Sequence, residues 1–210
     1  MKVQKQRDAI MWTVLGALLG VSFYVWGKTF NWHLSTVGPY SFFPLLGLIA
    51  WLTMWTHYIW GSIHWRSAMY SRITGYIVLF CILMHPGILS FAQYRAGKGF
   101  PPLSYYHYFP PSFDWAIFLG SISLLTFLSF EVLQHLRKRE AVARIWKWVS
   151  VSQAIAMFLI FIHSLKLGDQ LMSGWFRIFW AVCGVILVPA TFIVVSRDFG
   201  HTAQEQPSHE

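Results

Sequence analysis

The chain has very few charged residues for its length. Asp, Glu, Lys and Arg make up only 11% of its 210 residues, whereas 56% are hydrophobic and 19% are aromatic. An average soluble domain contains about 25% charged residues, so this chain has too little charge to cover a water-exposed surface. The composition therefore excludes an ordinary soluble domain and predicts an integral membrane protein.

Cysteine and the motifs of soluble cofactor domains are also scarce. The two cysteines, Cys81 and Cys183, lie in the middle of apolar stretches, which excludes a disulfide framework and a Cys-rich metal site. The chain has no Gly-rich phosphate loop and no dinucleotide-binding pattern. It therefore carries no nicotinamide or flavin domain, and an electron donor would have to be a separate molecule.

Six apolar stretches are long enough to cross a bilayer, which takes about 20 helical residues. They cover residues 9–26, 40–60, 72–93, 114–136, 145–167 and 175–195. No clear small-residue cleavage site follows the first stretch, so we expect a retained helix and not a signal peptide. The sequence predicts an all-α polytopic membrane protein: a six-helix transmembrane bundle over residues 1–195 and a polar, disordered tail over 196–210.

The basic residues indicate the topology. Lys and Arg number 16 against 8 Asp and Glu, a net charge of +8, but they occur in short runs between apolar stretches, which is not typical of nucleic-acid binding. The N-terminus and the runs at 61–72 and 137–147 all fall on one side of the membrane. By the positive-inside rule, both termini are cytoplasmic, in what we expect to be a bacterial inner membrane. The Tyr- and Pro-rich connection at 94–113 then forms a structured lid on the outer side.

Two histidines lie at matching depths in the third and fifth stretches. With a helix rise of 1.5 Å per residue, His85 lies about 20 Å and His163 about 25 Å from the cytoplasmic side. Two imidazoles that face each other at one depth across a helical bundle form the axial-ligand geometry for a six-coordinate haem, and such ligation suits electron transfer more than oxygen binding. The competing explanation for either histidine alone is a hydrogen bond to a carbonyl or a serine of the next helix.

A second depth-matched pair lies near the inner ends of the second and fourth stretches. His57 and His135 would bind an inner haem, and Glu131, four residues before His135 on the same helix face, would orient that imidazole. The alternative is that both side chains reach water at the membrane edge and bind no metal. The sequence thus predicts one haem b and leaves a second as a candidate.

These features resemble the ferric reductase-like transmembrane domain superfamily, whose members include bacterial ferric reductases, the NADPH oxidase core and the haem-binding membrane subunit of a periplasmic methionine-sulfoxide reductase system. The likeness covers residues 72–166 and is closest in size to the last of these. It is carried by Arg72-Ile-Thr-Gly75, Leu83-Met84-His85-Pro86, the basic loop 137–144, Trp146, Trp148 and Ile162-His163-Ser164-Leu165-Lys166. The resemblance implies a haem on the outer side, held by His85 and His163.

The chain departs from this family at one position. Many members carry a second histidine about a helix length below the fifth-helix ligand, where this chain has Ser150. The resemblance therefore supports the outer haem and leaves inner ligation to His57 and His135. Ligand pairs on helices two and four and on helices three and five are similar to the arrangement in cytochrome b561.

The leading hypothesis is a membrane haem-b electron-transfer protein, the membrane component of an oxidoreductase. Electrons would come from a quinol, a reduced flavin or a flavoprotein, and pass to an acceptor on the outer side. Two alternatives stay open. One is a proton or ion transporter that uses the intramembrane His and Glu side chains as a relay, and the other is a haem-free scaffold subunit of a membrane complex.

Overall fold

The protein is all-α in the computed structural model, which describes residues 2–33, 35, 37–65, 67–101, 104, 112, 114–172 and 174–204. Over these residues the chain forms six long helices and two short 3-10 turns, Pro39–Ser41 and Asp169–Leu171. The helices are α1 Lys2–Thr29, α2 Phe42–Ser62, α3 Ala68–Arg95, α4 Asp114–His135, α5 Glu140–Leu167 and α6 Trp175–Gln204. Half of the predicted lid at 94–113 lies outside the described residues.

All six helices are long and apolar enough to span a membrane, so the protein is a multi-pass integral membrane protein, as the composition predicts. Five of them extend beyond the predicted stretches at one or both ends, because hydropathy marks the apolar part of a helix and not its polar ends. The longest extension at a single end is in α6, which continues beyond the predicted span at Val195 to Gln204. That segment contains no proline that would stop the helix.

The centre of the bundle is α2. More than half of its apolar span is shielded by other helices, against a third or less of every other span. It packs against α1 and α3 on one side and against α6 on the other, while α5 packs against α4 and α6. The bundle is thus built from two helix pairs, α2 with α3 and α4 with α5, and α6 packs against one helix of each.

Tryptophans join the central helices. The indole of Trp51 in α2 lies 4.4 Å, centre to centre, from that of Trp180 in α6 and donates a hydrogen bond of 3.4 Å to the carbonyl of Met157 in α5. Trp55 donates a 2.7 Å hydrogen bond to the carbonyl of Cys183. Each indole fills apolar volume and pairs its N–H group, so α2, α5 and α6 are fixed relative to one another.

Over the residues described, helix α3 does not pack closely against the pair of α4 and α5. Within the described part of the chain, α3 makes its extensive backbone contacts with α2, and neither α4 nor α5 packs closely against α3. Any side chain of α3 that touches α5 therefore has to reach across the space between the pairs.

Candidate functional site

His85 of α3 and His163 of α5 meet across this space. Their ring centres are 6.5 Å apart and their planes make an angle of 79°. Both side chains are half-buried. The two histidines that the sequence places at equal depth are thus neighbours in the structure.

The imidazole of His85 lies against α2. Its Nδ1–H group donates a 2.7 Å hydrogen bond to the carbonyl of Phe43, and the ring stacks on the Phe43 ring with centres 4.3 Å apart and planes within 7°. The same imidazole covers Gly47, where an added Cβ atom would lie 3.0 Å from the His85 Cε1 atom. The absence of a side chain at Gly47 lets the ring approach the helix backbone.

The imidazole of His163 lies against α4 in the same way. Its Nδ1–H group donates a 2.7 Å hydrogen bond to the carbonyl of Ala116, and the ring covers Gly120, where an added Cβ atom would lie 2.6 Å from both Cε1 and Nδ1. In both helix pairs the accepting carbonyl comes four residues before the glycine. The two pairs therefore hold their histidines by the same device.

The carbonyls fix the tautomer of both rings. A carbonyl oxygen only accepts, so Nδ1 carries the proton in each neutral imidazole and Nε2 keeps its lone pair. A metal-bound histidine is held in this manner, with its second ring nitrogen donating to a carbonyl or a carboxylate. In each ring, Nε2 is therefore the nitrogen left to bind a metal.

The distance between the rings also fits a shared metal ion. Two metal–nitrogen bonds of about 2 Å, and about 1 Å from each nitrogen to its ring centre, give roughly 6 Å between centres. A direct hydrogen bond of about 2.9 Å between the two rings would bring the centres to roughly 5 Å. The observed 6.5 Å is closer to the first arrangement.

The number of ligands points to the type of metal group. No cluster of three or more His, Cys, Asp or Glu side chains occurs among the described residues, whereas a protein zinc site needs at least three such ligands. Two facing histidines suffice when a porphyrin supplies the other ligands of the iron. The residues present therefore fit a haem.

The structure does not bring His57 and His135 together. Nε2 of His57 is 2.7 Å from Oγ1 of Thr74 in α3, whereas His135 is exposed and its Nδ1–H group donates to the carbonyl of Glu131 in its own helix. The helices that carry them, α2 and α4, are not packed against each other. Equal depth does not produce a pair here because each imidazole already has a different partner.

The predicted role of Glu131 also differs. Its carboxylate accepts a hydrogen bond from the side chain of Gln134, and it is the main-chain carbonyl of Glu131, not the carboxylate, that His135 contacts. A histidine four residues along a helix reaches that carbonyl directly. Among the hydrogen bonds described, none joins His57, His135 and His163 into the relay that a transporter would use.

Sequence reasoning identified the histidines but not what holds them. Gly47 and Gly120 were detectable as isolated glycines inside apolar helices, which usually have a packing reason. By contrast, Gly75 has nothing within 4 Å of an added Cβ atom, so a glycine inside a helix does not by itself mark a place where an imidazole packs. We call Gly47 and Gly120, which the rings of His85 and His163 cover, the seats of these two histidines. Ser150, at the position of the missing histidine, is buried in α5 at 7% exposure.

No protein-family model, curated protein or solved structure matches this chain. The likeness to the ferric reductase-like superfamily therefore rests on the residues quoted above.

Proposed function

We propose that this protein is a membrane haem-b electron-transfer protein in which His85 and His163 are the two axial ligands. The observation that supports it is the pair of imidazoles with ring centres 6.5 Å apart, each with Nδ1 bound to a carbonyl of a neighbouring helix. Ionisable side chains inside an apolar helix bundle mark a functional site. One haem bound between the two imidazoles would account for both of them.

When bound, the haem supplies one-electron oxidation and reduction. His85 and His163 would hold the haem, the carbonyls of Phe43 and Ala116 fix the imidazole tautomers, and apolar helices surround the site. Ligation by two histidines leaves no open position for oxygen or a substrate, which favours electron transfer over oxygen binding.

The position of the pair suggests where electrons leave. His163 is four residues from the end of α5 at Leu167, about 6 Å by helix rise. With both termini cytoplasmic in a bacterial inner membrane, that end faces outward. The acceptor is then ferric iron, a periplasmic reductase or a soluble redox protein, and the donor is a quinol, a reduced flavin or a flavoprotein. The protein would be the electron-transfer component of an oxidoreductase.

The test is the absorbance spectrum of the purified protein in detergent, before and after reduction with dithionite, together with a haem count. We expect a low-spin b-type spectrum and one haem per chain. His85→Ala and His163→Ala should each abolish that spectrum, whereas His64→Ala, a histidine exposed in the α2–α3 connection, should retain it.

A colourless wild-type protein that is otherwise folded would refute the proposal and favour the transporter or the scaffold. A full haem content in both His85→Ala and His163→Ala would instead refute the ligand assignment.

A further inference from the structure

A cavity of about 400 Å³ lies between the start of α1, the end of α2 and the start of α3. This volume is within the range of small-molecule pockets, about 300–1,000 Å³. Its walls are mainly apolar and aromatic, and they include Met11, His57, Trp60, Trp65, Ser67 and Tyr70. Trp60 and Trp65 are stacked with ring centres 5.5 Å apart and planes within 8°, so one wall is flat and rigid.

The hydrogen bonds around His57 define its free nitrogen. The hydroxyl of Thr74 donates its one proton to the carbonyl of Tyr70 at 2.6 Å, so it can only accept from Nε2–H of His57 at 2.7 Å. The neutral ring therefore carries its proton on Nε2, and Nδ1 is a base with a free lone pair. No residue that the structure describes hydrogen-bonds to this Nδ1 atom.

The hydroxyl proton of Tyr70 is not available to a ligand in the cavity. The hydroxyl of Thr56 donates to the carbonyl of Thr53 at 2.7 Å, so in the 2.6 Å contact between Thr56 and Tyr70 the phenol is the donor. The proton of Tyr70 is thus used within the protein. His57 therefore offers the cavity an acceptor, and a ligand that pairs with it is a hydroxyl donor on a flat apolar body.

The cavity and the haem-ligand pair share a helix. Thr74, the partner of His57, and His85 are eleven residues apart in α3, about 16 Å by helix rise. An oxidisable molecule in the cavity would therefore lie on the far side of the bundle from the proposed acceptor, at the end of a continuous, packed helix pair.

We propose that this cavity is a hydroquinone-binding site, in which the ring lies against the Trp60–Trp65 wall and one hydroxyl donates to Nδ1 of His57. The inference rests on the proposed function and names its electron donor as a quinol. Oxidation of the hydroquinone to the quinone breaks two O–H bonds and releases two electrons and two protons. One proton passes to His57 and the other to water. The two electrons would pass singly to a one-electron acceptor, the haem that His85 and His163 would hold, and from there to the acceptor on the outer side.

This geometry predicts a preference for the reduced ligand. A hydroquinone donates through its hydroxyls, whereas the quinone has only acceptor oxygens and would leave Nδ1 of His57 unpaired. Anaerobic titration calorimetry of the full-length protein with a short-tailed hydroquinone and with its quinone measures that preference directly. We expect one site per chain and at least about tenfold tighter binding of the hydroquinone, since one buried hydrogen bond to the ligand is gained.

Three variants test the assignment. His57→Ala should remove the preference for the reduced ligand. Thr74→Val keeps His57 but removes the hydroxyl that holds its proton on Nε2, and it should reduce the preference about threefold. His135→Ala, an exposed histidine expected near the same membrane face, is the matched control and should leave it unchanged. All variants should keep the low-spin haem spectrum.

Equal binding of hydroquinone and quinone by the wild type, or an unchanged preference in both His57→Ala and Thr74→Val, would overturn this inference while leaving the haem intact. Conversely, a colourless protein that still binds hydroquinone in a His57-dependent manner would sink the proposed function and retain the site.

Discussion

The sequence matches the members of each histidine pair in depth, but the structure brings only His85 and His163 together. His85 and His163 each lie over a glycine of a neighbouring helix and donate to a carbonyl of that helix. His57 instead contacts a threonine of α3, and His135 contacts its own helix. In this bundle, the two rings that meet each have a glycine and a backbone acceptor on the adjacent helix, whereas the two rings that are matched only in depth each have a nearer partner.

Among the glycine substitutions, the largest expected loss of haem comes from adding a side chain at Gly120, beneath the ring of His163. In Gly120→Ala, the new methyl group would lie 2.6 Å from the imidazole, and overpacking of this kind costs about 1–3 kcal/mol. We expect haem content to fall to about a tenth of the wild-type value or less, measured as haem per chain. Gly75→Ala, with nothing within 4 Å of the new group, is the matched control, and a normal haem content in Gly120→Ala would contradict the role of the seat.

A smaller effect is expected at the seat of His85. The added Cβ atom of Gly47→Ala would lie 3.0–3.1 Å from the nearest atoms of the His85 ring. A movement of the ring by a few tenths of an ångström would relieve this close contact. We expect haem to be retained but bound about two- to fivefold more weakly, at the lower end of overpacking costs. Competition with apomyoglobin measures this, and a loss in Gly47→Ala as large as that in Gly120→Ala would show that the seats are equally tight.

The inner pair should have no effect on haem content. The double variant His57→Ala/His135→Ala removes both histidines of the pair that the structure keeps apart, so we expect the same haem count and the same spectrum as in the wild type. The measurement is again haem per chain. A halved haem count in the double variant would instead indicate that His57 and His135 bind the inner haem that the sequence offers as a candidate.

The fold was largely predictable from the sequence, because six apolar stretches of span length leave few arrangements for the backbone. That His85 and His163 are neighbours followed from their matching positions along α3 and α5. Their seats did not, since a prediction from one helix at a time cannot tell which neighbour presents Gly47 or Gly120. The inner pair shows the same limit: Thr74 is an unremarkable residue until α3 is packed against α2.

The smallest expected effects are on stability. Thr74→Val removes a hydrogen bond between α2 and α3, and Ser123→Ala removes one of 3.2 Å from α4 to the carbonyl of Ala156 in α5. Interhelical hydrogen bonds in membrane proteins average about 0.6 kcal/mol, so each variant should lose about that much free energy of unfolding in a detergent titration. A loss several times larger in either variant would mean that the hydroxyl also supports its neighbours.

The angle between the outer imidazoles has a consequence for magnetism. If both planes were parallel, both rings would interact with the same iron d orbital and split it from its partner. If the proposed haem is bound with the rings at the observed 79°, each ring would interact with a different one of the two orbitals, and the two orbitals would stay nearly equal in energy. The ferric protein should then give a low-spin, strongly anisotropic electron paramagnetic resonance signal with one dominant low-field feature. A rhombic signal with three well-separated features would mean that the rings turn parallel when they bind the metal.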